Sequence, residues 1–160
     1  MRLALYQPDI PQNLGAAIRL CACLGVALDV IEPCGFLLTE KALRRTALDY
    51  GQRATLARHA SFQHFLTQLR STPRRLVLVE TDATASLLDF AFEPEDTLIM
   101  GRESAGSPPE LHAAADASVR LPMTPGARSF NVAVAAAIAL SEAMRQTGLW
   151  AALKQSEEEA

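Results

Sequence analysis

Short apolar runs alternate with longer segments of helical periodicity along almost the whole chain. Five of the runs have the length and composition of buried strands, at residues 3–6, 26–31, 76–79, 97–100 and 117–121. A sixth, weaker run lies at residues 54–57. Alternation of this kind predicts a single-domain α/β fold, with a mainly parallel sheet flanked by helices on both faces.

The segments between these runs carry helix signals. Residues 14–24 are apolar at helical spacing, and Gly25 suits the position after a helix. Ser61 can cap a helix in which Phe62, Phe65, Leu66 and Leu69 share one face. Three further helices are predicted at residues 39–48, 109–115 and 129–147, with Thr39 as cap of the first and Gly148 as end of the last.

A chain of 160 residues supplies one core of ordinary size. We therefore expect one domain over residues 1–150, followed by an acidic tail, 151–160, frayed at its end. No apolar run reaches the roughly 18 residues of a membrane span, and the N-terminus has no secretory pattern. These features predict a cytoplasmic protein with no membrane partner.

The chain has three cysteines, Cys21, Cys23 and Cys34, and their spacing matches neither a redox pair nor a zinc framework. We expect reduced thiols in the core and no metal site.

Charge is distributed unevenly although the net charge is only −3. Residues 1–75 carry 10 Lys and Arg against 5 Asp and Glu, whereas residues 76–160 carry 5 against 13. Within residues 41–75 a single acid, Asp49, accompanies eight cations. On charge alone, a phosphate-binding cluster and an ordinary solvated face are equally good interpretations.

Ligands of doubly wound sheets bind outside the carboxyl ends of the strands, so the loops after strands are the places to search. In the first such loop Asn13 is a good N-cap, and Gly15 allows a close approach by a ligand or a neighbouring chain. Arg19 follows one turn later on an otherwise apolar helix, where it needs a partner; a buried acid would be one.

The second loop, residues 100–108, contains Gly101-x-Glu103-x-x-Gly106 after a hydrophobic strand. Two glycines permit a tight backbone that can approach a small molecule, although a plain turn has the same pattern. Neither a dinucleotide fingerprint nor a Walker A loop is present.

The third loop, residues 121–131, contains two prolines and a glycine and ends in Ser129-x-Asn131, where capping is the usual role of a serine. The following residues, 132–140, are small and apolar almost all round. A helix of this kind is buried on nearly every side, which in a small domain favours burial beneath a second subunit.

Together, and in this order, Asn13-x-Gly15-x-x-x-Arg19, Gly101-x-Glu103-x-x-Gly106 and Ser129-x-Asn131 resemble the three motifs of the SPOUT RNA methyltransferases. Within that superfamily the chain is most similar to the small TrmL (YibK-type) branch, the tRNA wobble-nucleotide 2′-O-methyltransferases. Further stretches that fit this branch lie at residues 5–13, 31–36, 43–50 and 120–123, so the similarity spans about residues 2–150.

The resemblance implies a SPOUT fold with a C-terminal trefoil knot that holds S-adenosylmethionine, largely through backbone groups. It assigns the cofactor contacts to Val79, Gly101, Leu121, Met123 and Ser129. It also implies a homodimer that packs the first and last helices across the two-fold axis.

The resemblance further implies methylation of the wobble ribose, a cytidine or modified uridine, in the anticodon stem-loop of tRNA. The family pattern points to Arg19 as the residue that takes or displaces the hydroxyl proton; a milder role is to orient the 2′-oxygen and stabilise its charge. Asn131 is expected to help hold the site, and Glu103 to steady the second loop.

For the tRNA contacts we predict Lys41, Arg44, Arg45 and Tyr50, the cations for phosphates and the ring for base stacking. Two alternatives stay open. One is the same chemistry on another tRNA or rRNA ribose, and the other is a catalytically silent RNA-binding dimer.

Overall fold

The computed structural model describes residues 1–39 and 54–158, and within them seven parallel strands form one sheet. The strand order is β3-β2-β1-β6-β4-β7-β5. The strands are β1 (Arg2–Tyr6), β2 (Ala27–Ile31), β3 (Leu56–His59), β4 (Leu76–Val79), β5 (Ala85–Ser86), β6 (Thr97–Met100) and β7 (Ala117–Arg120). The α/β fold class with a parallel sheet is therefore confirmed.

Five helices of the described residues flank this sheet. They are α1 (Pro11–Leu24), α2 (Phe62–Arg70), α3 (Pro109–Ala114), α4 (Val132–Thr147) and α5 (Leu149–Glu158). None of them is long and apolar enough to cross a membrane.

The sheet has a hydrophobic cluster on each face because side chains alternate along every strand. On one face, strand residues such as Leu3 and Leu98 cluster with residues of α1 and α4, among them Ile18 and Leu140. The opposite face is covered by α2 and α3. There the cluster consists of Ala4, Tyr6, Ile31, Phe62, Phe65, Leu69, Leu76, Leu78, Ile99 and Leu111.

Most predicted elements lie within two residues of their observed bounds. Ser61 caps α2 by accepting a hydrogen bond from the His64 amide, and Gly25 and Gly148 end α1 and α4 in the left-handed conformation. Strand β3 begins at Leu56 rather than at residue 54. Of the helix predicted at residues 39–48, all but Thr39 lies outside the described residues.

Two capping predictions are wrong. Helix α1 begins at Pro11, so its N-cap is Ile10 and Asn13 is inside the first turn. Proline at the first helical position starts the helix early because its fixed φ suits that place. At the start of α4 the cap is Asn131, whose Oδ1 accepts from the amides of Ala133 and Val134, rather than Ser129.

The C-terminal tail is also more ordered than we expected, since α5 continues in helical form to Glu158. Its first residues are good helix formers, and Leu149 packs on the core. Trp150 donates a hydrogen bond from Nε1 to the Ser141 carbonyl at 3.1 Å, which ties α5 to α4.

Candidate functional site

A cavity of about 690 Å³ lies at the carboxyl ends of the three neighbouring strands β6, β4 and β7. Its wall includes the last residues of β4 and β6 and residues that follow each of the three strands. The residues predicted for the cofactor all line this cavity: Val79, Gly101, Leu121, Met123 and Ser129. The fold thus brings together positions that are up to 50 residues apart in sequence, although their roles remain predictions.

The loop after β6 has a tight backbone that requires glycine at its start. A Cβ atom on Gly101 would lie 2.6 Å from Ser107 Oγ and 2.8 Å from the Gly106 carbonyl, closer than real side chains pack. Arg102 and Gly106 exchange backbone hydrogen bonds of 2.9 Å, and Gly106 has a φ of +67°. The loop is therefore a closed turn that projects into the cavity.

Three side chains join the three predicted motifs. Glu103 accepts hydrogen bonds from the Asp9 amide at 2.7 Å and from Asn13 Nδ2 at 3.1 Å, one on each carboxylate oxygen. Asn13 is 7% exposed, and its Oδ1 accepts from Asn131 Nδ2 at 2.8 Å. Glu103 thus holds the second loop against the first.

A second connection between the first two loops runs through Asp9, which the sequence reasoning missed. Its carboxylate pairs with Arg102 and accepts hydrogen bonds from the Ser104 hydroxyl and, at 3.2 Å, from the Ser104 amide. These bonds, led by the one from Arg102, lower the pKa of Asp9 to about 2. Gly35 makes room for Asp9, because a Cβ there would lie 2.7 Å from its Oδ1.

Glu80 and His112 form another part of the cavity wall that sequence reasoning missed. Glu80 directly follows β4, its side chain is 10% exposed, and its Oε2 lies 3.2 Å from His112 Nε2. Burial raises the pKa of Glu80. The available signal was the position of an acid at the carboxyl end of a buried parallel strand.

Arg19 does not line this cavity, in contrast to Asn131. It is exposed on α1, on a helical face whose other exposed residues are Gln12, Ala16 and Cys23. Helix α4 packs against α1 and exposes the large apolar side chains Val134 and Ile138. The two predicted catalytic residues therefore occupy different places in the monomer.

The basic segment, residues 41–75, lies only partly within the described residues. Lys41, Arg44, Arg45 and Tyr50, the predicted tRNA contacts, lie outside the described residues. The described arginines of the same stretch are paired with acids, at 2.5–2.9 Å. The pairs are Arg58–Glu32, Arg70–Asp116, Arg74–Glu95 and Arg75–Asp96. For these four cations the solvated-face interpretation is the better one.

The cysteines divide between core and surface. Cys21 is buried, Cys34 is partly buried and Cys23 is exposed, so the expectation of core thiols is wrong for Cys23. All three are free thiols. No cluster of three His, Cys, Asp or Glu side chains suited to a metal ion occurs in the part of the chain that the structure describes.

Comparison with known proteins identifies one family of RNA methylases. The model of the SpoU rRNA Methylase family matches residues 1–141. A tRNA (cytidine(34)-2′-O)-methyltransferase of Beijerinckia indica is 55% identical over 146 residues, which cover 91% of each chain.

Two solved structures extend the comparison. One, described as giving structural insights into the 2-OH methylation of C/U34 on tRNA, superposes with a TM-score of 0.84 at 41% identity, over 91% of this chain and 94% of that one. The other is the SpoU methyltransferase AviRb of Streptomyces viridochromogenes in complex with AdoMet. It gives a TM-score of 0.82 at 27% identity, over 91% of this chain and 60% of that one.

Proposed function

Since the chain belongs to the SpoU methylase family, we propose that it methylates the 2′-oxygen of the wobble ribose in tRNA, with S-adenosylmethionine as methyl donor. The observation that carries this proposal is the hydrogen-bonded chain Asn131–Asn13–Glu103, which joins three distant loops around one cavity. All the polar positions expected for the activity are filled, which argues against a catalytically silent relative; they are Asn13, Arg19, Glu103 and Asn131. A tRNA substrate also implies a cytoplasmic location.

The cavity has the size and chemistry that S-adenosylmethionine requires. Its volume is within the range of small-molecule sites. Val79, Leu121 and Met123 supply apolar surface for the adenine, and Glu80, Asp82 and Glu103 give the wall the acidic groups that suit a cationic ligand. The trefoil knot implied by the family remains part of this proposal.

Val79, Gly101, Leu121, Met123 and Ser129 would hold the cofactor, which would supply an electrophilic methyl group on a sulfonium whose sulfur can keep the bonding electron pair. The chain must then align the ribose and help its hydroxyl lose a proton. A guanidinium stays protonated in proteins and is a poor base, so Arg19 would orient the 2′-oxygen and stabilise its developing negative charge. The proton would pass to water.

Asn131 would act as a positioning residue. Its Oδ1 caps α4 and its Nδ2 donates to Asn13, so both halves of the amide are committed within the protein. The side chain thereby fixes the end of the third loop, which includes Ser129, at the edge of the cavity.

The active form would be a homodimer. Val134 and Ile138 leave an apolar face of α4 exposed, beside the face of α1 that bears Arg19. Pairing of these faces between two copies would bury the apolar side chains and bring Arg19 of one subunit to the cavity of the other. Each site would then be complete only in the dimer.

The tRNA would bind across both subunits through Lys41, Arg44 and Arg45, with Tyr50 stacking on a base. Acids already pair with Arg58, Arg70, Arg74 and Arg75. The phosphate contacts of the basic segment would therefore come from Lys41, Arg44 and Arg45.

The decisive experiment is methyl transfer from labelled S-adenosylmethionine to total tRNA that lacks wobble 2′-O-methylation, followed by nucleoside mapping. We expect label on a 2′-O-methylated cytidine or uridine at the wobble position. Label at another tRNA position or on rRNA would replace the substrate assignment. Cofactor binding without transfer to any RNA would favour a silent RNA-binding dimer.

A further inference from the structure

Glu80 places a carboxylate in the cavity wall, and only one of its two oxygens has a partner among the described residues. Its side chain is nine-tenths buried, and its Oε2 contacts His112 Nε2 at 3.2 Å. Among the described residues, His112 is the only hydrogen-bonding or ion-pair partner of this carboxylate. Oε1 has no such partner and is not among the buried, unpartnered atoms of the described residues, so it is accessible from the cavity and can accept a hydrogen bond from a group that binds there.

The position of Glu80 in the sheet indicates which part of a ligand it meets. Strand β4, which Glu80 follows, lies between β6 and β7. The residues after those outer strands, Gly101 and Leu121, line the cavity on either side of Glu80. Glu80 is therefore in the middle of this wall, and His112 holds its carboxylate from the α3 side.

We propose that the Glu80 carboxylate accepts hydrogen bonds from the ribose hydroxyls of the cofactor, and that His112 positions it for this. The inference rests on the proposed use of S-adenosylmethionine. In that molecule the ribose is the central part, between adenine and methionine, and its neighbouring hydroxyls are the donors that a carboxylate can accept side by side. An acid directly after a parallel strand binds ribose hydroxyls in dinucleotide sites by the same geometry.

The alternative partner for this carboxylate is the ammonium group of the cofactor. The affinities of two ligands distinguish the ammonium from the ribose hydroxyls. S-adenosylhomocysteine has both the ribose hydroxyls and the ammonium, whereas 5′-methylthioadenosine keeps the hydroxyls and lacks the ammonium and carboxylate. Titration calorimetry would measure both ligands with the intact protein and with Glu80→Gln, which preserves shape. Asp89→Asn is the control, since Asp89 is exposed and lies outside the cavity.

We expect Glu80→Gln to weaken both ligands by the same factor, about tenfold or more, because hydrogen bonds to a charged group are lost. The 2′,3′-dideoxy form of methylthioadenosine should bind the intact protein and Glu80→Gln equally. His112→Asn should weaken both natural ligands by a smaller factor. Asp89→Asn should leave the affinities unchanged.

Weaker binding of S-adenosylhomocysteine with unchanged binding of methylthioadenosine would overturn the proposal in favour of the ammonium. Unchanged binding of both by Glu80→Gln would remove Glu80 from the site while the proposed function stands. If the intact protein bound neither ligand, the proposed cofactor would fail together with this inference. Glu80→Asp, which withdraws the carboxylate by one methylene group, serves as a second variant if Glu80→Gln unfolds.

Discussion

The side-chain amide of Asn131 donates a hydrogen bond to Oδ1 of Asn13 at 2.8 Å, across 118 positions of the chain. Asn13 passes the connection on to Glu103 through its Nδ2. One buried asparagine thus links the helix that follows β1 to the loops that follow β6 and β7. The chain of three polar side chains explains why residues of these types occur in all three loops.

We predict that Asn13→Ala reduces methyl transfer strongly and stability modestly. The substitution leaves Asn131 Nδ2 and one Glu103 oxygen without their partner, which costs about 1–3 kcal/mol of unfolding free energy. Misalignment of the three loops should lower kcat/KM about a hundredfold. Thermal unfolding and single-turnover kinetics check both effects.

Gln63→Ala is the control for Asn13→Ala, because Gln63 is an exposed amide side chain on α2 that does not line the cavity. It should resemble the unmodified protein in both measurements. Normal kcat/KM for Asn13→Ala would contradict a role for this link in catalysis.

The sequence predicts those parts of this fold that depend on local signals. Strands β4 and β6 are four-residue runs of buried side chains, and their bounds were predicted without error. Gly25 and Gly148 end helices because each needs a positive φ that other residues adopt at a cost.

The partners of the site residues could not be predicted in this way. Asparagine near a helix start is read locally as a cap, yet Asn13 bonds side chains 90 and 118 positions away. Likewise Glu80 and His112 meet only because α3 packs beside the end of β4. Such contacts depend on which strands are neighbours in the sheet, and that order does not follow from periodicity.

Asp9 should make part of the protein's stability sensitive to acid. Its pKa is lowered from 3.8 to about 2 in the folded protein, so it stabilises the fold above its unfolded pKa and loses this effect as the pH falls through the folded value. We expect Asp9→Asn to be less stable than the unmodified protein at pH 7, with the difference shrinking between pH 4 and pH 2. Urea unfolding across this range measures it. A difference that stays constant over these pH values would contradict the assignment.

The predicted tRNA contacts should make the affinity for tRNA depend on salt concentration. We predict that Lys41→Ala with Arg44→Ala weakens tRNA binding and lowers the slope of log K against log salt by about 1.5, because two phosphate contacts are lost. Arg70→Ala with Arg74→Ala removes the same charge from residues that pair with Asp116 and Glu95, and it should change the slope much less. Filter binding over a salt series compares the two. Equal slopes for the two double variants would remove the first pair from the tRNA surface.

The final prediction concerns Arg19 and Asn131, which occupy different places within one subunit. Arg19 lies outside the cavity that Asn131 lines, so a site completed by the second subunit would draw these residues from different chains. Arg19→Ala and Asn131→Ser should each lose most methyl transfer as homodimers; serine retains a helix cap while removing the amide that bonds Asn13.

Heterodimers of these two variants, isolated through two different tags, test the arrangement directly. One of their two sites would combine an intact Arg19 with an intact Asn131, and the other would carry both substitutions. We therefore expect about half of the unmodified activity in the heterodimer, against little in either homodimer. If Arg19 and Asn131 acted within one chain, both sites of the heterodimer would carry one substitution each, and methyl transfer would stay as low as in the homodimers.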